Sequence, residues 1–173
     1  MVKKILMVLI LFLNSLQFQL GANMANETII YKNIVLLDVQ GLFGGRNIYL
    51  SFDGVGFVQL VRPGQEEKRY RIKLTELELV ELKKCIQEND FLNLNIVERL
   101  GVPDEAYPTI ILIFKDGKSK SVSKWANDTN RQFDALYYWI LRQERFVENK
   151  KPIYSGAYDP KPKEINSLFP LPK

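Results

Sequence analysis

Gly101-Val-Pro-Asp-Glu-Ala-Tyr-Pro-Thr-Ile-Ile-Leu-Ile-Phe114, followed by Lys115-Asp-Gly-Lys118 and Ser119 to Trp125, is the stretch on which the fold turns. Ile110 to Phe114 is apolar at every position, so both faces of that strand call for burial. This suits a central strand covered by a helix or a second layer. Asp116-Gly117 predicts a two-residue hairpin loop, because both residues tolerate the positive φ of a type I′ turn. That loop sets Thr109 opposite Lys124.

Asp53-Gly54 reads the same way on the N-terminal side. It sets Phe52 opposite Val55 and Leu50 opposite Phe57, so that Ile48, Leu50, Phe52, Val55 and Phe57 share one apolar face. Ile29 to Val39 supplies an earlier strand or two short ones. The glycine-rich segment Gly41 to Arg46 invites a phosphate-loop reading, but the alternating pattern of Asn47 to Phe52 predicts a strand after it. A phosphate loop needs a helix there, whose N-terminal amides face the anion. Lys68 to Leu74 alternates, with Tyr70, Ile72 and Leu74 inward and Arg69, Arg71 and Lys73 outward.

Thr75 and Glu78 have the spacing of a capping box, which predicts a helix to about Asn89 carrying Leu79, Leu82 and Ile86 on one stripe. Thr129 and Gln132 repeat that spacing before a second helix, Asn130 to about Phe146, with Phe133, Leu136, Tyr137, Ile140 and Leu141 at helical spacing. The fold expected is α+β: an antiparallel sheet of about five or six strands with the two helices packed on one face. The element order is hairpin, strand, helix, hairpin, helix. Residues 26–148 form the single domain, and residues 149–173, with five of the eight prolines, read as a proline-rich extended tail.

The chain has 173 residues, 46% hydrophobic and 25% charged, which is enough for one domain with a real core. Histidine is absent and cysteine occurs once. Serine–histidine triads, cysteine–histidine pairs, histidine-based metal sites and an intramolecular disulfide are therefore excluded, and no cofactor or metal is implied. Cys85, between Leu82 and Ile86 on the first helix, reads as a small buried apolar group. Met1 to Ala25 reads as a secretory signal: Lys3 and Lys4 precede an apolar run from Ile5 to Leu13. That run is short of the ~20 residues of a membrane span, so cleavage and export are expected, to the periplasm or the exterior, with no transmembrane segment in the mature chain. Removing the signal takes away two of 24 basic residues and no acid, leaving 22 − 20 = +2, a balance that gives no argument for nucleic acid.

Two segments carry a resemblance: Gly101-Val-Pro-Asp-Glu-Ala-x-Pro-Thr-Ile110, and Ser123-Lys-Trp-Ala126 with the helix opening at Arg131-Gln-Phe-Asp134. From about Asn47 to Tyr158 the chain resembles exported bacterial α+β domains of unknown function. The resemblance implies this fold and bacterial export, and it transfers no activity.

Three chemistries compete for the candidate residues. Asp104, Glu105, Tyr107, Lys124 and Trp125 would line one shallow surface that binds a protein or envelope component. Asp104 and Glu105 also have the makings of a carboxylate pair for hydrolysis, against the plainer reading of a solvated turn. Arg69, Arg71 and Lys73 on one strand, with Lys118, Lys120 and Lys124 on another, form basic stripes suited to an anionic polymer. Lysines on exposed strands also serve simply to block edge-to-edge pairing. Partner identity and oligomeric state are not written in the sequence.

Overall fold

Sheet and helices assemble as the α+β pattern requires, but with more strands than expected and with cover on both faces. The computed structural model describes residues 30–40 and 43–171. The expected export signal, Met1 to Ala25, lies outside them, as do Gly41 and Leu42 of the glycine-rich loop. The elements in chain order are β1 (Tyr31–Gln40), β2 (Gly44–Ser51), β3 (Val55–Val61), β4 (Glu67–Lys73), α1 (Glu76–Glu88), β5 (Thr109–Phe114) and β6 (Ser119–Ser123). They continue with α2 (Arg131–Leu141), a 3-10 segment (Arg142–Val147), β7 (Tyr154–Gly156) and α3 (Lys163–Leu168). The sheet has seven strands in the order β6-β5-β1-β2-β3-β4-β7, and every neighbouring pair is antiparallel. The all-apolar β5 is an interior strand, between β6 and β1.

Both Asp-Gly turns differ from the expected two-residue loops, and in the same way. The amide of Gly54 donates to Ser51 O at 3.0 Å, and that of Gly117 to Phe114 O at 3.1 Å. Each glycine has positive φ, +92° and +86° respectively. The glycine is thus the third residue of a three-residue loop, the left-handed position after a tight turn, and not the second of two. The register moves by one: Leu50 pairs with Gly56 rather than Phe57, and Thr109 with Ser123 rather than Lys124. Because side chains alternate, the slip carries Val55 and Phe57 to the face opposite Ile48 and Leu50, and it lifts Phe52 into the loop. Phe52 packs there on Tyr31, with ring centroids 5.3 Å apart.

One face of the sheet therefore presents Ile34, Leu36, Ile48, Leu50, Val58, Ile72, Ile110 and Leu112, all buried. Helix α2 and the 3-10 segment after it cover it: the Tyr137 hydroxyl donates to Asp38 Oδ2 at 2.9 Å, and Glu144 of the 3-10 segment meets Arg46 at 3.3 Å. Helix α1 lies beside α2 and is tied to the 3-10 segment that follows α2 by Arg142–Glu81 at 2.7 Å and Arg145–Glu78 at 2.8 Å. Thr75 caps α1 as predicted, accepting from the Glu78 amide while Glu78 accepts from the Thr75 amide. Helix α2 starts one residue later than expected, capped by Asn130, whose Oδ1 accepts from the Phe133 amide at 2.9 Å while Asp134 accepts from the Asn130 amide. This phase turns Phe133, Leu136, Trp139 and Ile140 inward and leaves Tyr138 exposed.

The opposite face is apolar too, with Val35, Tyr49, Phe57, Ile111 and Ile113 in one cluster. The segment from residue 149 onward covers it. Expected to run extended, this segment instead pairs as β7 along β4 and then forms the six-residue α3. Ile165 and Phe169 drop into the apolar cluster, and Leu171 packs at its border. At the β4 end the cover is polar. Gln59 Nε2 donates to Glu67 Oε1 (3.0 Å) and to Asp159 O (2.8 Å), and the Asp159 amide donates to Glu67 Oε2 at 2.7 Å. Arg69 pairs with Glu67 and with Glu164, and its guanidinium lies 4.0 Å over the Tyr154 ring. Arg69, expected on an outward face, is therefore only 3% exposed. Alternation was read correctly, but the face it selects is covered.

A buried ion pair that loses one member leaves the other charge desolvated and unpaired. Arg69→Ala is expected to cost about 3–5 kcal/mol, read as a drop in the urea midpoint, and to open residues 149–171 to limited proteolysis before the rest of the chain.

Candidate functional site

Between α1 and β5 the chain runs from Leu94 to Pro108 without helix or strand, so its backbone groups need partners from elsewhere. Arg99 supplies the organising contacts. Its Nη2 donates to both Glu105 oxygens at 2.7 and 2.8 Å, its Nε to Asp128 Oδ1 at 2.7 Å, and its Nη1 to Leu100 O at 3.0 Å. The fork geometry of the guanidinium makes this a directional clasp rather than a loose surface pair. Trp125 closes it from the other side, donating Nε1–H to Arg99 O at 3.0 Å and stacking on Tyr107 with centroids 4.3 Å apart. The Tyr107 hydroxyl donates to Glu98 at 2.8 Å, and the Asn127 amide to Glu105 Oε1 at 2.9 Å. Gly101 lies flat on Trp125, where an added Cβ would come within 2.3 Å of ring carbons.

The structure thus brings Glu105, Tyr107 and Trp125 together as the sequence suggested, but as partners of one another. Arg99 holds the Glu105 carboxyl below its ordinary range, with the Asn127 and Val102 amides adding to the effect. The Glu105 side chain is 1% exposed. A carboxylate already accepting from a guanidinium and an amide is poorly placed to take or give a proton. Burial, with Glu98 beside it, raises the Tyr107 phenol. Asp104 stands apart, exposed at φ +64°, with Pro103 before it and the Glu105 amide returning to Val102 O at 3.2 Å. Proline second and a left-handed residue third are the marks of a type II turn, so Asp104 has a backbone role. Lys124 is 5% exposed, pairing with Asp134 at 3.2 Å and donating to Asp128 O. Its charge is spent inside the α2 entry.

The two basic stripes do not converge. Arg71 and Lys73 are exposed on the face that residues 149–171 cross, while Lys120 points to the face of α2, with β5, β1, β2 and β3 between the two stripes. Four strands at ~4.8 Å spacing separate them further. Lys118 is exposed in the hairpin loop and paired with Asp116 at 3.1 Å. Among the described residues, no group of three or more Cys, Asp or Glu is placed to hold a metal ion, and no helix is long and apolar enough to cross a membrane.

Above the clasp the chain displays apolar side chains to solvent. Val97 is 88% exposed, Leu100 93% and Val102 53%. The sequence reading missed Arg99, although one signal marked it. It is the single basic residue between Lys84 and Lys115, in a segment carrying Glu98, Asp104 and Glu105. Comparison of the chain with protein-family models, with curated proteins and with solved structures finds no match.

Two expectations test the clasp. Gly101→Ala forces Trp125 off its seat at a cost of about 1–3 kcal/mol, visible as a change in tryptophan emission. Glu105, with its folded pKa depressed, contributes stability that is present above its unfolded value of ~4.3 and lost as pH falls through the lower folded value. Glu105→Gln should flatten that part of the acid limb in a pH series of urea midpoints.

Proposed function

We propose that this is an exported, non-catalytic binding domain that holds a protein or cell-envelope component through the 97–102 loop. The observation that carries the reading is the pairing of a rigid base with an apolar tip. Three large aliphatic side chains stand in water on a segment without regular structure, fixed from below by the Arg99–Glu105–Asp128 clasp and by Trp125. Exposed aliphatic groups on one short loop cost solubility, and their clustering marks interaction surfaces. A pre-fixed loop loses little conformational entropy when it docks, which favours affinity. Export follows from the apolar N-terminal segment and from the resemblance to exported bacterial domains. A hydrolase built on Asp104 and Glu105 draws less support, since one is a turn residue and the other is saturated by Arg99 and Asn127. The anionic-polymer reading is weakened by Arg69 and Lys124, both buried and paired.

Placing a photo-crosslinking residue at Leu100, with a control at the exposed Leu77 of α1, tests this in the bacterial envelope fraction. One defined adduct is expected from position 100 and none from 77. Leu100→Asp in the unlabelled protein should leave the urea midpoint within about 0.5 kcal/mol and compete at least tenfold less well for that adduct. Equal adducts from both positions, or undiminished competition by the folded variant, would overturn the reading.

A further inference from the structure

A second site lies at the far end of the sheet, independent of the 97–102 loop. Strand β1 pairs with β5 through Tyr31↔Phe114 and then Asn33↔Ile113, so Lys32 is an extra residue without a counterpart, a β-bulge. Bulges re-aim side chains and recur beside binding sites. This one lets Tyr31 pack on Phe52 and Phe114 while Lys32 turns to a cleft shared with Ile113, Ser119 and Leu171. The cleft measures about 230 Å³ and is completed by Phe114, Lys115, Gly117 and Pro170. Its walls are apolar where they adjoin the Val35–Phe169 cluster, and two exposed lysines, Lys32 and Lys115, line it as well. Among the described residues no carboxylate lines it, and Asp116 of the adjoining hairpin loop is engaged by Lys118 at 3.1 Å.

We propose that this cleft binds a small amphiphilic anion, its head held between Lys32 and Lys115 and its short apolar tail lying along Ile113, Phe114 and Leu171. The charge pattern selects an anion, because two lysines line the cleft while the adjoining Asp116 is paired with Lys118, and such a balance attracts an anion and repels a cation. The apolar wall selects a tail over a bare ion. At about 230 Å³ the cleft is smaller than the ~300–1,000 Å³ of pockets for drug-sized ligands, which suits a short-chain carboxylate. Pro170 and Leu171 form one wall, so an occupant also clamps the end of the covering segment to the sheet.

Titrating the full chain, labelled with nitrogen-15, with sodium hexanoate is the test, with 1-hexanol and sodium acetate in parallel. Saturable amide shifts are expected at Gly117, Ser119 and Leu171 with hexanoate, and about tenfold weaker binding by hexanol, which lacks the charge, and by acetate, which lacks the tail. Lys32→Met with Lys115→Met should remove the hexanoate shifts, while Lys32→Arg retains them. Absence of saturation, or equal binding of hexanol and hexanoate by the wild type, overturns the proposal whatever the variants do.

Discussion

A sheet that is apolar on both faces must be covered twice, and the rest of this structure follows from that constraint. Strands β1, β2, β3 and β5 place aliphatic or aromatic side chains on each side in turn. At roughly 25 cal/mol per Å² of apolar surface, neither face can be left to water. Helices α1 and α2 cover one face, and the polypeptide beyond residue 149 covers the other. This explains why a proline-rich segment with little periodicity is ordered. Its three anchors, Ile165, Phe169 and Leu171, need only reach the cluster, and its prolines lower the entropy lost in holding an irregular path. The Glu67, Arg69 and Gln59 contacts fix where it lies, since a buried polar group is stable only when its partners are in place.

Legibility in the sequence divides along the same line. Local chemistry was readable: the Thr75–Glu78 cap, Leu82 and Ile86 on the inward side of α1, Phe133, Leu136 and Ile140 on that of α2, the strand character of Ile110–Phe114, and the positions of both hairpins. What failed was a single unit of register. Asp-Gly is compatible with either a two-residue or a three-residue loop, and apolar pattern hardly distinguishes them when both faces are buried, because the slip exchanges one apolar face for another. With Val55 and Phe57 apolar, and Ile48 and Leu50 apolar too, the one residue that could report the error was Gln59, which the expected register sets opposite Ile48 and the structure pairs with Asn47, whose Nδ2 donates to Gln59 Oε1 at 2.8 Å. Arg69 was misjudged for a related reason, since alternation gives the face but not whether a distant segment covers it.

The candidate site was legible as a region and not as a mechanism. Glu105, Tyr107 and Trp125 do converge, held by Arg99, whose part was written only as a lone base in an acidic and apolar stretch. Their chemistry is used to brace one another, and the large apolar groups that the region leaves to solvent are Val97, Leu100 and Val102. A loop without helix or strand acquires rigidity from side chains when five polar contacts from one guanidinium and one carboxylate replace the missing backbone ladder. Such a loop can be both irregular and well positioned.

The covering segment has a temporal meaning as well. Asn33 Nδ2 donates to Leu168 O across 135 positions of sequence, and Gln59 reaches Asp159 across 100. A chain made from its N-terminus forward therefore has all seven cluster partners of the second face only after Phe169 has emerged. Until then Val35, Tyr49, Phe57, Ile111 and Ile113 have no lid, and the β4 edge lacks its β7 neighbour. Such surfaces are the ones on which other chains pair. The order of synthesis thus makes this domain dependent, for most of its birth, on whatever shields an unfinished sheet.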